Sequence, residues 1–330
     1  MIKLIAYFAF GALGIAIALI IFFNNGQQYK IVGINGAIVN NSTAYALYED
    51  DVRWLRFDIR LNNSYEKYIN SLEGKGFKIL GILDYQTLGV KIEKSGCTKN
   101  CNWTLQTWKD TVNEALNAYP NITAWEIWNE PEIGEFQSGI LENGNPYAYF
   151  LIDKEAYDEI KARNPNSTVI CLGGDNLFGA GKTSEQSYEW AEAVWSYGLG
   201  NYCDAISLHA YSVPFLLNDT IYNSTVGKQF NYWLGMYENL THKNIWITET
   251  GMPSSANSTY QLNISNAQQE EFLNQSFSLF LSKSYVKAVF WFNLYGTADF
   301  PYNLDFGLLY PNMTKKPAFL AFERFAKEYD

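Results

Sequence analysis

Ala124-Trp125-Glu126-Ile127-Trp128-Asn129-Glu130-Pro131 is the run from which the fold can be read. Aromatic and β-branched residues give it the composition of a buried strand, and Pro131, which has no N–H, cannot extend a sheet ladder. Glu130 therefore closes a strand where it gives way to a loop. A glutamate before proline is ordinarily a solvated loop residue. This one gains meaning because Ile245-Trp246-Ile247-Thr248-Glu249-Thr250-Gly251 puts a second carboxylate in the same strand-end context.

Short apolar or β-branched runs recur at Lys30–Ile34, Val52–Asp58, Phe77–Leu83, Ala124–Glu130, Thr168–Leu172, Asp204–His209, Ile245–Glu249 and Ala288–Asn293. Helix-like stretches lie between them at Ser64–Gly74, Thr104–Ala118, Tyr147–Arg163, Ser184–Tyr197, Val226–Leu240 and Asn266–Ser284, and Lys316–Tyr329 closes the chain. The segment after the first strand, near Tyr45–Asp50, is the weakest helix. Eight strands each followed by a helix-sized segment predict an α/β fold, a (β/α)8 TIM barrel spanning residues 30–330 as one domain. The site of such a barrel is built at the carboxyl ends of its strands. Here those ends carry Asn35, Arg56, Asp58, Asp84, Asn129, Glu130, His209, Tyr211, Glu249, Trp291 and Asn293.

The chain has 330 residues, 48% hydrophobic, and a formal net charge of −10, so no basic face is available to neutralise nucleic-acid phosphates. Neutral sugars or a glycosylated surface are more compatible partners. With two histidines and no Cys/His cluster at ligand spacing, neither a zinc site nor another cofactor is expected. Cys97 and Cys101 lie in a polar stretch and read best as a small disulfide loop, free thiols being the alternative. Cys171 and Cys203 sit in or beside apolar runs and read as buried small hydrophobes.

Residues 4–23 are almost entirely apolar, and about 20 such residues in a helix cross a hydrocarbon core. Residues 1–29 are thus expected to form one N-terminal transmembrane helix and a short linker. An uncleaved signal anchor is favoured over a cleaved signal peptide, because no small-x-small site follows. Either way the barrel would lie outside the cell, held to the membrane or secreted. Asn-x-Ser/Thr recurs thirteen times between Asn40 and Asn312, which suits a glycosylated exterior protein.

The strand-end set resembles the clan A glycoside hydrolases, (β/α)8 enzymes whose two catalytic glutamates close strands four and seven. The matching residues are Trp128-Asn129-Glu130-Pro131, His209-Ala210-Tyr211, Thr248-Glu249-Thr250-Gly251, Arg56 and Trp291. The resemblance implies a retaining glycosidase acting on a β-linked polysaccharide or surface glycan. Glu130 would be the acid/base and Glu249 the nucleophile. Asn129 would bond the sugar 2-hydroxyl, Arg56 and Tyr211 would orient and ionise Glu249, and His209 and Trp291 would line the subsite of the cleaved sugar. Where many members carry a histidine after strand three, this chain reads Asp84-Tyr85-Gln86, so Asp84 becomes a candidate for a different hydroxyl contact. Tyr147, Tyr149, Phe150, Phe215, Tyr295, Phe300 and Tyr302 are candidate stacking faces. A transglycosylase using the same residues, and a catalytically idle glycan-binding barrel, are the alternatives.

Overall fold

The computed structural model describes residues 29–36, 41–93, 96–133, 138–177, 183–221, 223–254, 263–295 and 304–329. Eight parallel strands close into a barrel. They are β1 Ile31–Asn35, β2 Trp54–Asp58, β3 Lys78–Leu83, β4 Ala124–Ile127, β5 Thr168–Asn176, β6 Ala205–Ala210, β7 Asn244–Thr250 and β8 Val286–Trp291, with β8 pairing back onto β1. The helices that follow them in turn are α1 Asn41–Glu49, α2 Asn63–Glu73, α3 Leu105–Ala118, α4 Pro146–Arg163, α5 Ser184–Ser196, α6 Val226–Thr241, α7 Asn266–Leu281 and α8 Pro317–Tyr329. The (β/α)8 expectation holds, including the weakest helix, α1.

Local chemistry explains where the helices begin. Thr104, Thr183 and Ser265 form capping boxes at α3, α5 and α7, each satisfying an orphan N–H of the first turn. Asn145 caps α4, whose first residue, Pro146, has no N–H to lose.

Alternating strand residues fill the barrel interior with Ile31, Trp54, Leu80, Ala124, Ile170, Ala205, Trp246, Ala288 and Phe290. The three alanines leave room for two tryptophans and a phenylalanine. Trp54 meets Trp246 edge-on at 5.9 Å. Gly33 on β1 is required by this packing, since a Cβ there would lie 2.3 Å from the Phe290 ring. The opposite strand faces pack on the helices in a second, larger apolar cluster.

Two strand ends differ most from expectation. β4 stops at Ile127 because Trp128 (φ 69°) and Glu130 (φ 46°) take left-handed backbone conformations. β5 continues to Asn176 through an irregularity in its pairing with β6 between Cys171 and Asp175, where Leu172, Gly173 and Gly174 all have positive φ. Cys97 and Cys101 are joined in a disulfide. Cys171 and Cys203 form a second, correcting their reading as buried thiols: the turn before β6 brings them to a Cα–Cα distance of 5.7 Å. The segment 4–23 expected to cross a membrane lies outside the described residues, and no helix among those described is long and apolar enough to do so.

Candidate active site

Arg56, on β2, is the hub of the barrel mouth. Its Nε donates to Glu126 Oε2 at 2.5 Å, its Nη1 to Asn35 Oδ1 at 2.7 Å and Glu249 Oε1 at 2.5 Å, and its Nη2 to Asn129 Oδ1 at 3.0 Å. These bonds tie β1, β2, β4 and β7 together through one planar fork. Burial alone would lower the guanidinium's pKa, but Glu126 and Glu249 outweigh it and hold it charged. Glu126 is fully buried and also accepts from Thr248 Oγ1 at 2.9 Å. Sequence reasoning missed Glu126 as a functional residue, although an acid in mid-strand among buried apolar residues was the available signal.

Glu249 is gripped from both sides. Arg56 takes Oε1, and the Tyr211 hydroxyl donates to Oε2 at 2.6 Å. Burial would raise its pKa, but His209, Arg56 and Tyr211 more than reverse this and hold the carboxyl below its ordinary range. Phe292 and Phe306 meet the Tyr211 ring edge-on at 6.3 and 5.9 Å and fix its orientation.

Glu130 faces Glu249 across His209. The imidazole Nδ1 lies 2.7 Å from Glu130 Oε1 and 3.7 Å from Glu249 Oε2. One donor atom from each of the three residues falls within 4.8 Å of the others. Such a trio can outline a cation site, but here Arg56, Tyr211 and His209 already engage the carboxylate oxygens. Burial would lower the His209 pKa, yet the flanking glutamates raise it. His209 therefore bridges the two carboxyl groups, rather than only lining a sugar subsite.

The imidazole fits because Gly174 is opposite. A Cβ at Gly174 would sit 2.1 Å from His209 Nε2, and the residue has φ +82°. Gly174→Ala should therefore push the imidazole off Glu130. We expect kcat to fall by about 100-fold, as for a catalytic group misplaced by an ångström. Steady-state kinetics beside a thermal melt will separate this from simple unfolding.

A cleft of about 490 Å³ opens beside the glutamates, lined by Asn35, Asp58, Arg60, Tyr65, Tyr85, Gln86, Asn129, Phe292 and Asn293 among others. Asp58, Arg60 and Gln86 give it a polar wall next to the faces of Tyr65 and Tyr85. Two expected contacts are corrected. Trp291 is fully buried, donates to Phe306 O at 3.0 Å and packs on Phe272 and Phe277 of α7. Its neighbour Phe290 faces the barrel interior, so alternation turns Trp291 toward the helices. Asp84 is also sealed: its Oδ1 accepts the Gln86 N–H at 2.8 Å and caps a turn, while Asp58 reaches the cleft instead. Among the stacking candidates, Tyr149 is buried and bonded to Ile127 O and Asp153. Tyr147 and Phe150 pack against Tyr197. Phe215 and Tyr295 are not among the cleft's lining residues, and Phe300 and Tyr302 lie outside the described residues.

A family model described as glycosyl hydrolase catalytic core matches residues 174–306, the part that carries His209, Tyr211 and Glu249. A comparison with curated proteins gives no match. Similar solved structures include a family 39 glycoside hydrolase from Bacteroides cellulosilyticus WH2, with 19% identity over 90% of this chain and 64% of that chain at a TM-score of 0.65. This chain thus spans a little under two thirds of that protein's length. A fungal β-1,4-galactanase matches at 16% identity over 92% of this chain and 96% of its own, with a TM-score of 0.67. Xylanase 10B from Thermotoga petrophila RKU-1 matches at 17% identity over 91% of this chain and 94% of its own, with a TM-score of 0.61. At these identities the solved structures speak to the barrel and the family model to the catalytic core. The expected barrel is thus shared with solved glycoside hydrolases, and residues 174–306 are similar to a glycosyl hydrolase catalytic core.

Proposed function

We propose that the protein is a retaining β-glycosidase with Glu249 as nucleophile and Glu130 as acid/base. The approach of the two carboxyl groups carries this reading, since an oxygen of each lies within 4.8 Å of the other. Retaining enzymes hold the pair about 5–5.5 Å apart, whereas inverting enzymes leave about 6.5–9.5 Å for an intervening water.

The contacts divide the labour. Glu249, kept ionised by Arg56 and Tyr211, attacks the anomeric carbon and forms a glycosyl-enzyme ester. Glu130 gives its proton to the departing glycosidic oxygen as that C–O bond breaks. Glu130 then takes a proton from water, which attacks the same carbon and releases Glu249. Asn129, whose Oδ1 is held by Arg56, keeps an amide donor for the sugar 2-hydroxyl. Asp58, Arg60 and Gln86 supply paired donors and acceptors suited to sugar hydroxyls, and Tyr65 and Tyr85 offer apolar faces.

A neutral β-linked polysaccharide or surface glycan suits this cleft, because Arg56 is already engaged by Glu126 and Glu249 and the other lining cation, Arg60, is offset by the lining carboxyl group of Asp58. The two disulfides, and exposed sequon asparagines such as Asn62, Asn102 and Asn166, support action outside the cell. The test is product analysis on a panel of β-linked polysaccharides and aryl β-glycosides. Release of reducing sugar is expected; binding without release across the panel would favour a glycan-binding barrel.

A further inference from the structure

Strand β5 does not pair evenly with β6. Cys171 lies opposite Ile206 and Asp175 opposite Leu208, so Leu172, Gly173 and Gly174 stand against Ser207 alone. These three have φ of 71°, 59° and 82°, and a kink of that kind cannot continue the ladder. The Ser207 hydroxyl closes it instead. Fully buried, its Oγ accepts the Gly174 N–H at 2.6 Å and donates to Cys171 O at 3.2 Å. A hydroxyl can do both at once, which no apolar side chain of that size can.

Against this kink rests the turn that carries the acid/base. Gly173 O accepts the Glu130 N–H at 2.6 Å, giving an acceptor to a residue whose own strand ended at Ile127. Pro131 lies so close that a Cβ on Gly173 would be 2.7 Å from its Cδ. The His209 ring packs on the next residue, Gly174, and its Nδ1 meets Glu130 Oε1 at 2.7 Å. We infer that Ser207 is a positioning residue: its hydroxyl fixes the β5 kink, and the kink fixes the Glu130 backbone through Gly173 and the Glu130 carboxyl through Gly174 and His209. The inference rests on the acid/base role proposed for Glu130. Ser207 itself is not among the residues that line the cleft.

Ser207→Ala strips the buried Gly174 N–H of its acceptor and loosens the kink. Asn35, Asp58 and Gln86, on the cleft wall, are untouched, so kcat on an aryl β-glycoside should fall roughly 10- to 100-fold with KM little changed. Ser207→Thr keeps the hydroxyl and should keep most of the rate. Ser276→Ala is the control for stability, because Ser276 of α7 is equally buried and donates to Leu273 O at 3.3 Å, outside the site. It should lower the melting temperature and leave kcat unchanged. Were Ser207 purely structural, its alanine variant would behave in the same way, and that result would overturn the inference. Amide hydrogen exchange tests the linkage without turnover. In the wild-type protein the Gly174 and Glu130 amides should open as one unit and so show protection factors within about threefold of each other. In Ser207→Ala both should exchange about tenfold faster or more, while the Trp128 amide, bonded to Leu83 O at 2.8 Å, keeps its rate. A Glu130 amide that opens independently of Gly174 would overturn the inference even if the alanine variant does not fold. A wild-type protein that exchanges as expected but turns over no substrate would instead count against the glycosidase reading.

Discussion

Replacing Glu249 with alanine should lower kcat on aryl β-glycosides by about five orders of magnitude, the scale seen when a covalent nucleophile is removed. The variant should still fold. Glu249 lies at the rim of the cleft with its side chain 12% exposed, and Arg56 keeps Glu126, Asn35 and Asn129 as partners. The lost carboxylate leaves a gap between Arg56 and Tyr211, both hydrogen-bond donors, into which a small anion can bind. Added azide should restore part of the rate for substrates with good leaving groups, and the product should be an α-glycosyl azide, because azide attacks from the side Glu249 occupied. Undiminished hydrolysis by the variant would place the nucleophile elsewhere.

Arg56→Met should cost both stability and turnover. It strips Glu126, a fully buried carboxylate, of its guanidinium partner, and removing one member of a buried ion pair costs about 3–5 kcal/mol. It also takes the cation from Glu249, whose folded pKa lies below its ordinary value. A carboxyl group depressed in this way contributes stability above its unfolded pKa and loses it as pH falls through the folded value. In the variant that contribution shrinks, so the melting temperature should fall by several degrees at pH 7 and by less under acid. A companion Glu126→Gln change separates the two effects. The double variant should recover part of the melting temperature, since the orphaned charge is gone, but not kcat, since Glu249 still lacks its cation. Recovery of activity as well would mean that Arg56 acts on the fold alone.

The fold could be read closely because strand–helix alternation is local. Capping residues such as Thr104, Thr183 and Ser265 mark helix starts that any window of sequence contains. The candidate site was legible where charged residues stand out of place: Glu130 and Glu249 end apolar strands, and Arg56 lies inside one. The rest depended on three-dimensional facts. Trp291 and Phe290 are adjacent in sequence, and only the barrel's closure decides which one faces inward. Asp84 and Asp58 both follow the rule of polar strand ends, but a turn that needs a cap takes Asp84 out of the cleft. The Cys171–Cys203 disulfide joins residues 32 positions apart across the turn before β6. Gly174 matters only because His209 packs against it, and neither residue's own surroundings in sequence name the other.

The most direct test of the central claim is the anomer first released during hydrolysis, observed by proton NMR before mutarotation. An aryl β-glycoside identified by the activity panel serves as substrate. A carboxyl pair this close, with Glu249 as nucleophile, predicts that the β-anomer appears first and the α-anomer grows in only as the sugar equilibrates. Initial release of the α-anomer would mean single displacement by water and would contradict the account.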